Sequence, residues 1–162
     1  MPAAKVSGMR KGLWGLLALT WLGQAQAVGS ESALLSGVNA LRAQGIRCAG
    51  TPRPRSAPLT FMSAQAAAAR VQASYMAQTG RISHTGAGGT SPRVRAASAG
   101  VRGSSMSEII YLSPGLNAQQ AVNWWRNSAV HCFAMTDPRY TKAGMSIVRG
   151  ARGTAYVMVL SN

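Results

Sequence analysis

Acidic residues are nearly missing from this chain: Glu31, Glu108 and Asp137 are the only three among 162 residues, against 17 Lys and Arg. Histidine and cysteine are equally scarce, at two each. A site built on many carboxylates is therefore excluded, and any metal or acid–base chemistry must draw on His84, His131 and those three acids. Long hydrophobic runs are also lacking. The longest, Leu13 to Leu22, is about half of the roughly 20 apolar residues that a spanning helix needs. There is no internal repeat and no long low-complexity tail. The arginine-rich stretches contain few aromatics, so the base-stacking platform expected of a single-strand binder is absent.

What is present begins with an export address. Lys5, Arg10 and Lys11 precede the apolar run, and Ala25-Gln26-Ala27 supplies the small-x-small pattern before a cut, so residues 1–27 read as a signal peptide and 28–162 as one mature domain. Removing the leader takes the formal charge from +14 to +11, and the remaining basic residues are Arg apart from Lys142. Such a field attracts anionic surfaces over a range that salt shortens: lipid headgroups, acidic glycans, or nucleic acid without sequence specificity. In an oxidising compartment Cys48 and Cys132 read as one disulfide. Closing a loop of that length restricts the unfolded chain by roughly 4–5 kcal/mol on the chain-entropy model.

Four helical patterns follow. Ser32 is a candidate cap for a stripe of Leu34, Leu35, Val38 and Leu41 that stops at Gly45. Met62, Ala66, Ala69, Ala73 and Met76 form an alanine-rich face suited to a flat neighbour, ending at Gly80. Ser91 and Pro92 start a short helix that ends near Gly100 and is expected to bury Val94 and Ala97. Asn117 starts the fourth, with Ala118, Ala121, Val122 and Trp125 on one face. Strand patterns lie at Glu108 to Leu112, Ala143 to Val148 and Ala155 to Leu160, the last two as a hairpin. Cys48 to Pro58 and Ser83 to Ser91 read as loops. Helices first and antiparallel strands late predict an α+β domain with helices packed on a small sheet. His84 and His131 are both expected on loops at helix ends, where functional groups are often presented.

An ordered set of motifs resembles the CAP superfamily of cysteine-rich secretory proteins, antigen-five allergens and pathogenesis-related proteins, in its bacterial form. The motifs are Asn39 and Arg42, Leu59-Thr60, Ser83-His84-Thr85-Gly86, Arg93-Val94-Arg95-Ala96-Ala97, Ser107-Glu108-Ile109-Ile110, Trp125 with Asn127-Ser128 leading to His131-Cys132, and Tyr140-Thr141-Lys142-Ala143-Gly144. The resemblance implies a three-layer α-β-α sandwich with a small central antiparallel sheet, and a cleft lined by two His and two acids. By position His84, Glu108 and His131 are three of those four. The fourth acid is missing, since Pro92 precedes Arg93 where relatives carry an acid, and neither Glu31 nor Asp137 occupies a matching place.

Two imidazoles and a carboxylate can hold a divalent metal such as zinc, weakly here with one acid, with His84 and His131 as ligands and Glu108 as third ligand or general base of a hydrolase. Alternatively, Glu108 sits between the two histidines, fixes them by hydrogen bonds and raises their proton affinity. Arg81, Arg93, Arg95 and Arg102 are expected to form a basic rim beside His84. The leading expectation is a secreted or periplasmic binding protein for an anionic envelope component, lipid or acidic glycan, rather than an enzyme. Asn39 and Arg42 are expected to tie the first helix to the interior, and Trp124 and Trp125 to divide between rim and core.

Overall fold

A computed structural model of the chain describes Met1 and residues 18–162, with side chains from Glu31 onward in the long segment. The predicted leader and its cut before Val28 lie outside the residues described in full.

The elements run α1 (Ala18–Gln44), β1 (Ile46–Cys48), β2 (Thr51–Arg53), β3 (Thr60–Phe61), α2 (Ser63–Thr79), α3 (Pro92–Ser98), β4 (Met106–Ser113), α4 (Ala118–Asn127), α5 (Ala129–Met135), β5 (Lys142–Gly150) and β6 (Gly153–Ser161). The main sheet has the order β3-β5-β6-β4. Its three long strands are antiparallel, as expected, and the two-residue strand β3 adds a parallel edge beside β5. Among the described residues, no helix is long and apolar enough to cross a membrane.

Side chains alternate between sheet faces, and that alternation builds two cores. On one face Ile109, Ala143, Met145, Ile147, Tyr156, Met158 and Leu160 meet Leu34 and Val38 of α1, Val122 and Trp125 of α4, and Met135 of α5. On the other, Ile110, Ala155, Val157 and Val159 meet Ala69, Ala73 and Met76 of α2 and Ala96 of α3. The molecule is thus an α-β-α sandwich of three layers. Buried Trp125 donates its indole N–H to Ile110 O at 3.1 Å, which ties α4 to β4.

Helix α2 lies unusually close to the sheet. A Cβ on Gly144 would stand 2.0 Å from Ala66 N, so only glycine lets β5 approach the helix backbone there. The buried face of α2 is Gln65, Ala68, Ala69, Gln72, Ala73, Met76 and Ala77, which keeps Ala69, Ala73 and Met76 of the expected stripe and leaves out Met62 and Ala66. Gln65 is accepted there because its amide donates to Ser161 Oγ at 2.9 Å.

Three local expectations are corrected. Helix α1 passes through Ser32 instead of starting at it. The segment after Cys48 is not all loop, since β1 and β2 pair as a small antiparallel hairpin. In α3, Arg95 and Ala96 are buried while Val94 and Ala97 are exposed. The caps predicted for the short helices are present: Ser91 Oγ accepts from Val94 N, and Asn117 Oδ1 from Gln120 N.

On the α1 side the loops are strapped twice. Cys48 and Cys132 are bonded, with their Cα atoms 5.6 Å apart. Arg42, 1% exposed, donates to four carbonyls: Ala57 at 2.7 Å, Met135 at 2.8 Å, Asp137 at 3.1 Å and Tyr140 at 2.9 Å. Asn39 adds two bonds to the backbone of Leu59. These two residues tie the first helix to the interior, as their spacing predicted.

Candidate functional site

Three elements converge on the α2–α3 side of β4. Glu108 points from β4 toward that layer, and its side chain is 2% exposed. His84 enters from the segment after α2, and Arg95 from α3. His84 Nδ1 donates to Glu108 Oε1 at 3.0 Å, and Arg95 Nη2 reaches both carboxylate oxygens, at 2.9 and 2.8 Å. A carboxylate this deep needs an opposite charge and hydrogen bonds to offset its lost hydration, and Arg95, equally buried, provides both.

Arg95 also organises the loop that carries His84. Its Nη2 donates to His84 O at 3.0 Å and its Nη1 to Thr90 O at 2.7 Å. The Gln72 amide donates to Ser83 O. Against this cluster lies Gly86, where a Cβ would stand 2.6 Å from Gln72 Oε1 and 3.0 Å from Arg95 Nη1, so any larger residue there would push on the side chains that hold the His84 loop.

Arg95 therefore departs from the basic rim assigned to it: it is the internal counter-charge of Glu108. The reason is the sheet register, which turns the domain's one cleft acid inward under α3. Arg81, Arg93 and Arg102 remain exposed, as a rim requires. Arg93 borders a cavity of about 330 Å³ together with His84, Pro92, Met106 and Glu108. Arg81 borders a second, of about 620 Å³, with Tyr75, Ile82 and the glycine-rich turn Gly86 to Gly89. The loop bearing His84 stands between them.

His131 is placed differently from the expectation. It lies within α5 rather than on a loop, shares a 2.7 Å hydrogen bond with Ser128 Oγ, and packs against Trp124 with ring centroids 5.0 Å apart. Trp124 stacks in turn on Tyr111 at 5.1 Å. No hydrogen bond or ion pair joins His131 to Glu108, so the carboxylate sits between His84 and Arg95 rather than between two imidazoles. Burial lowers the proton affinity of His131, and the charge of His84 lowers it further. The expected rise is reversed at this residue.

The other two acids are occupied elsewhere. Glu31 Oε1 accepts the Ile147 N–H at 3.0 Å, and Asp137 pairs with Arg139 at 2.6 Å. Hydrogen bonding to Arg139 holds the Asp137 carboxyl below its usual range. Among the described residues no three His, Cys, Asp or Glu side chains are grouped to hold a metal ion. Both oxygens of Glu108 already face a guanidinium, whose charge opposes a nearby divalent cation. The donor set present fits such a metal poorly.

This arrangement of layers has counterparts among known proteins. The model of the cysteine-rich secretory protein family, CAP, matches residues 35–161. The chain belongs to that family. Among solved structures, the CAP domain is similar to an extracellular protein containing a SCP domain from Bacillus anthracis, with a TM-score of 0.69 and 15% identity over 84% of this chain and 41% of that one. It therefore spans about two fifths of that protein's length. It is also similar to an outer surface protein from Borrelia burgdorferi, at a TM-score of 0.67 and 20% identity, covering 82% of this chain and 91% of the other. NaASP2, crystallised with Zn²⁺, gives 0.52 at 16% identity, covering 81% and 78%. Identities this low speak for the fold alone. No curated protein matches the chain.

Sequence reasoning placed Arg95 beside His84 but on the rim rather than on Glu108, and it missed Gln72. The available signal was scarcity: a lone strand acid in a domain so rich in arginine needs a buried cation partner, and Arg95 is on the nearest short helix.

Proposed function

We propose that this chain is an exported CAP-domain protein that acts by binding, its basic cleft engaging an anionic or amphipathic extracellular ligand. The carrying observation is that Glu108 is consumed internally by Arg95 and His84, leaving exposed arginines, Arg81 and Arg93, at the two cavity mouths. A carboxylate held by a guanidinium is a poor general base, which favours binding over turnover. Exposed Ile82 and half-buried Met106 beside the arginines suit a ligand with an apolar part next to its charge. Two structural relatives are an extracellular and an outer surface protein, which favours export.

Zinc in NaASP2 crystals is the one outside support for a metal-assisted reading, and in this chain Arg95 works against it. Pure polyanion binding differs from the leading reading in having no use for the cavities.

Retention of the chain on anionic vesicles and on an acidic glycan, followed from low to near-molar salt, tests the proposal. Binding should weaken steeply with salt and fall further in an Arg81→Glu/Arg93→Glu variant. Retention that neither salt nor the variant changes would overturn it.

A further inference from the structure

Strand β4 is the last of the main sheet, and its pairing decides which of its main-chain groups the sheet leaves unused. In an antiparallel pair, residues whose N–H and C=O meet the neighbour alternate with residues whose groups point away. Asn162 N–H donates to Ser105 O, so the odd-numbered residues of β4 bond to β6. The indole of Trp125 agrees from the other side, since it donates to Ile110 O. Met106, Glu108, Ile110 and Leu112 therefore turn their main-chain groups outward. Among the described residues, only Ile110 O of these groups has a hydrogen-bond partner.

This outward edge borders the cleft. The cavity of about 330 Å³ beside His84 and Arg93 is lined by Met106, Ser107 and Glu108 of β4. Glu108 is 8% exposed as a residue while its side chain is 2% exposed, so what reaches solvent there is mainly main chain. An uncovered strand edge is a template for pairing, and native sheets usually cover theirs. On the far side of the sheet, beyond the end of β3, the Glu31 carboxylate takes the outward Ile147 N–H of β5. Before Ile110, β4 has no such cover among the described residues. A strand added there would continue the pleat, its side chains alternating between the two flanks of β4. One flank carries half-exposed His84 and exposed Arg93, and its acid, Glu108, is already neutralised by Arg95. The other carries Trp124, 43% exposed and stacked on Tyr111. Charge and polarity thus select a strand that is acidic on one side and apolar on the other.

We infer that the outward edge of β4, from Met106 to Ile110 N–H, is a strand-addition site for an extended acidic peptide. The peptide main chain pairs with Met106 and Glu108, its acidic side chains face Arg93, and its apolar ones face Trp124. This rests on the anionic or amphipathic ligand proposed for the cleft and names its class.

The test titrates the isotope-labelled full chain with a capped peptide that alternates glutamate and valine, followed by amide NMR and calorimetry. The N–H signals of Met106, Glu108 and Ile110 should shift and gain protection from hydrogen exchange. Those of Ser107 and Ile109, already bonded within the sheet, should change little. N-methylating the valines and N-methylating the glutamates block opposite edges of the peptide, so one should weaken binding at least about tenfold and the other leave it within about twofold. A peptide of the same composition with the two residue types in separate blocks should bind at least about tenfold more weakly. Met106→Pro removes an outward N–H and no bond to β6, so the fold and salt-dependent retention on an acidic glycan should persist while peptide binding is lost. The methylated peptides probe the same bonds without altering the chain. The inference is overturned if both methylated peptides bind alike, if the block peptide binds as well as the alternating one, or if no peptide binds while glycan retention persists. Failure of glycan retention as well would overturn the function proposed for the cleft.

Discussion

Two arginines are buried in this domain, and they are satisfied in opposite ways. Arg42 has no carboxylate contact; four carbonyls, of Ala57, Met135, Asp137 and Tyr140, surround it. Burial pulls its proton affinity below that of a free guanidinium, and only the more distant charge of Asp137 opposes this. Arg95 instead meets a carboxylate and two carbonyls, and the carboxylate also holds a histidine that is half exposed. The first arrangement joins backbone to backbone and ends inside the protein. The second passes from the interior to the surface at His84. A buried charge thus serves as a strap where all its partners are backbone, and as the foundation of a site where one partner reaches solvent.

The largest effect should come from breaking the strap. Arg42→Met leaves four carbonyls without a donor and should cost about 3–5 kcal/mol, read as a fall in urea midpoint, with little change in ligand retention until the domain unfolds. Arg95→Met should cost somewhat less, roughly 3 kcal/mol, because His84 still shares a hydrogen bond with the buried carboxylate that it strands. A second substitution separates the two cases. Replacing both members, Arg95→Met with Glu108→Gln, should recover part of that loss, and a double-mutant cycle measures the coupling. No single second change should rescue Arg42→Met, since its partners are main-chain carbonyls.

A smaller effect concerns acidity. His131 has its proton affinity lowered in the fold, so the unfolded chain takes up a proton first as the pH falls. Its contribution is absent above the unfolded value near 6.5 and becomes a growing penalty below it, levelling once the folded residue also protonates. Wild type should lose a few tenths of a kcal/mol between about pH 7.5 and pH 5 from this residue, discounted for its partial exposure, and His131→Gln should lose less. Equal pH dependence in the two proteins would contradict the placement of His131 against Trp124. Smallest of all in stability is Arg93→Glu, within about 0.5 kcal/mol of wild type, with its effect confined to retention on anionic vesicles.

Much of this was legible in the chain itself. The disulfide followed from the only two cysteines of a chain read as exported, the short-helix caps from Ser91 and Asn117, and the hairpin from two apolar runs about a glycine-containing turn. Asn39 and Arg42 could be assigned inward because they stand one turn apart on the first helix. Where the reading failed, the periodic signal was too short or too uniform. A seven-residue helix such as α3 contains barely two turns, so placing Val94 and Ala97 inside or Arg95 and Ala96 inside fits the pattern equally well. In α2 the alanines are so numerous that the edges of the buried stripe could shift, and the pattern carried no signal for burying Gln65 and Gln72.

The sequence by itself determined the fold class, the order of the first four helices and the three long strands, the sign of the surface field and the short list of residues able to do chemistry, because each depends on composition, spacing or local hydrogen bonding. Only the tertiary structure decided who neutralises Glu108. That choice depends on the register of β4 against β6 and on how α3 packs against α2, long-range matters that bring Arg95 within 2.8 Å of a carboxylate 13 positions away and turn His131 toward Ser128 and Trp124 instead.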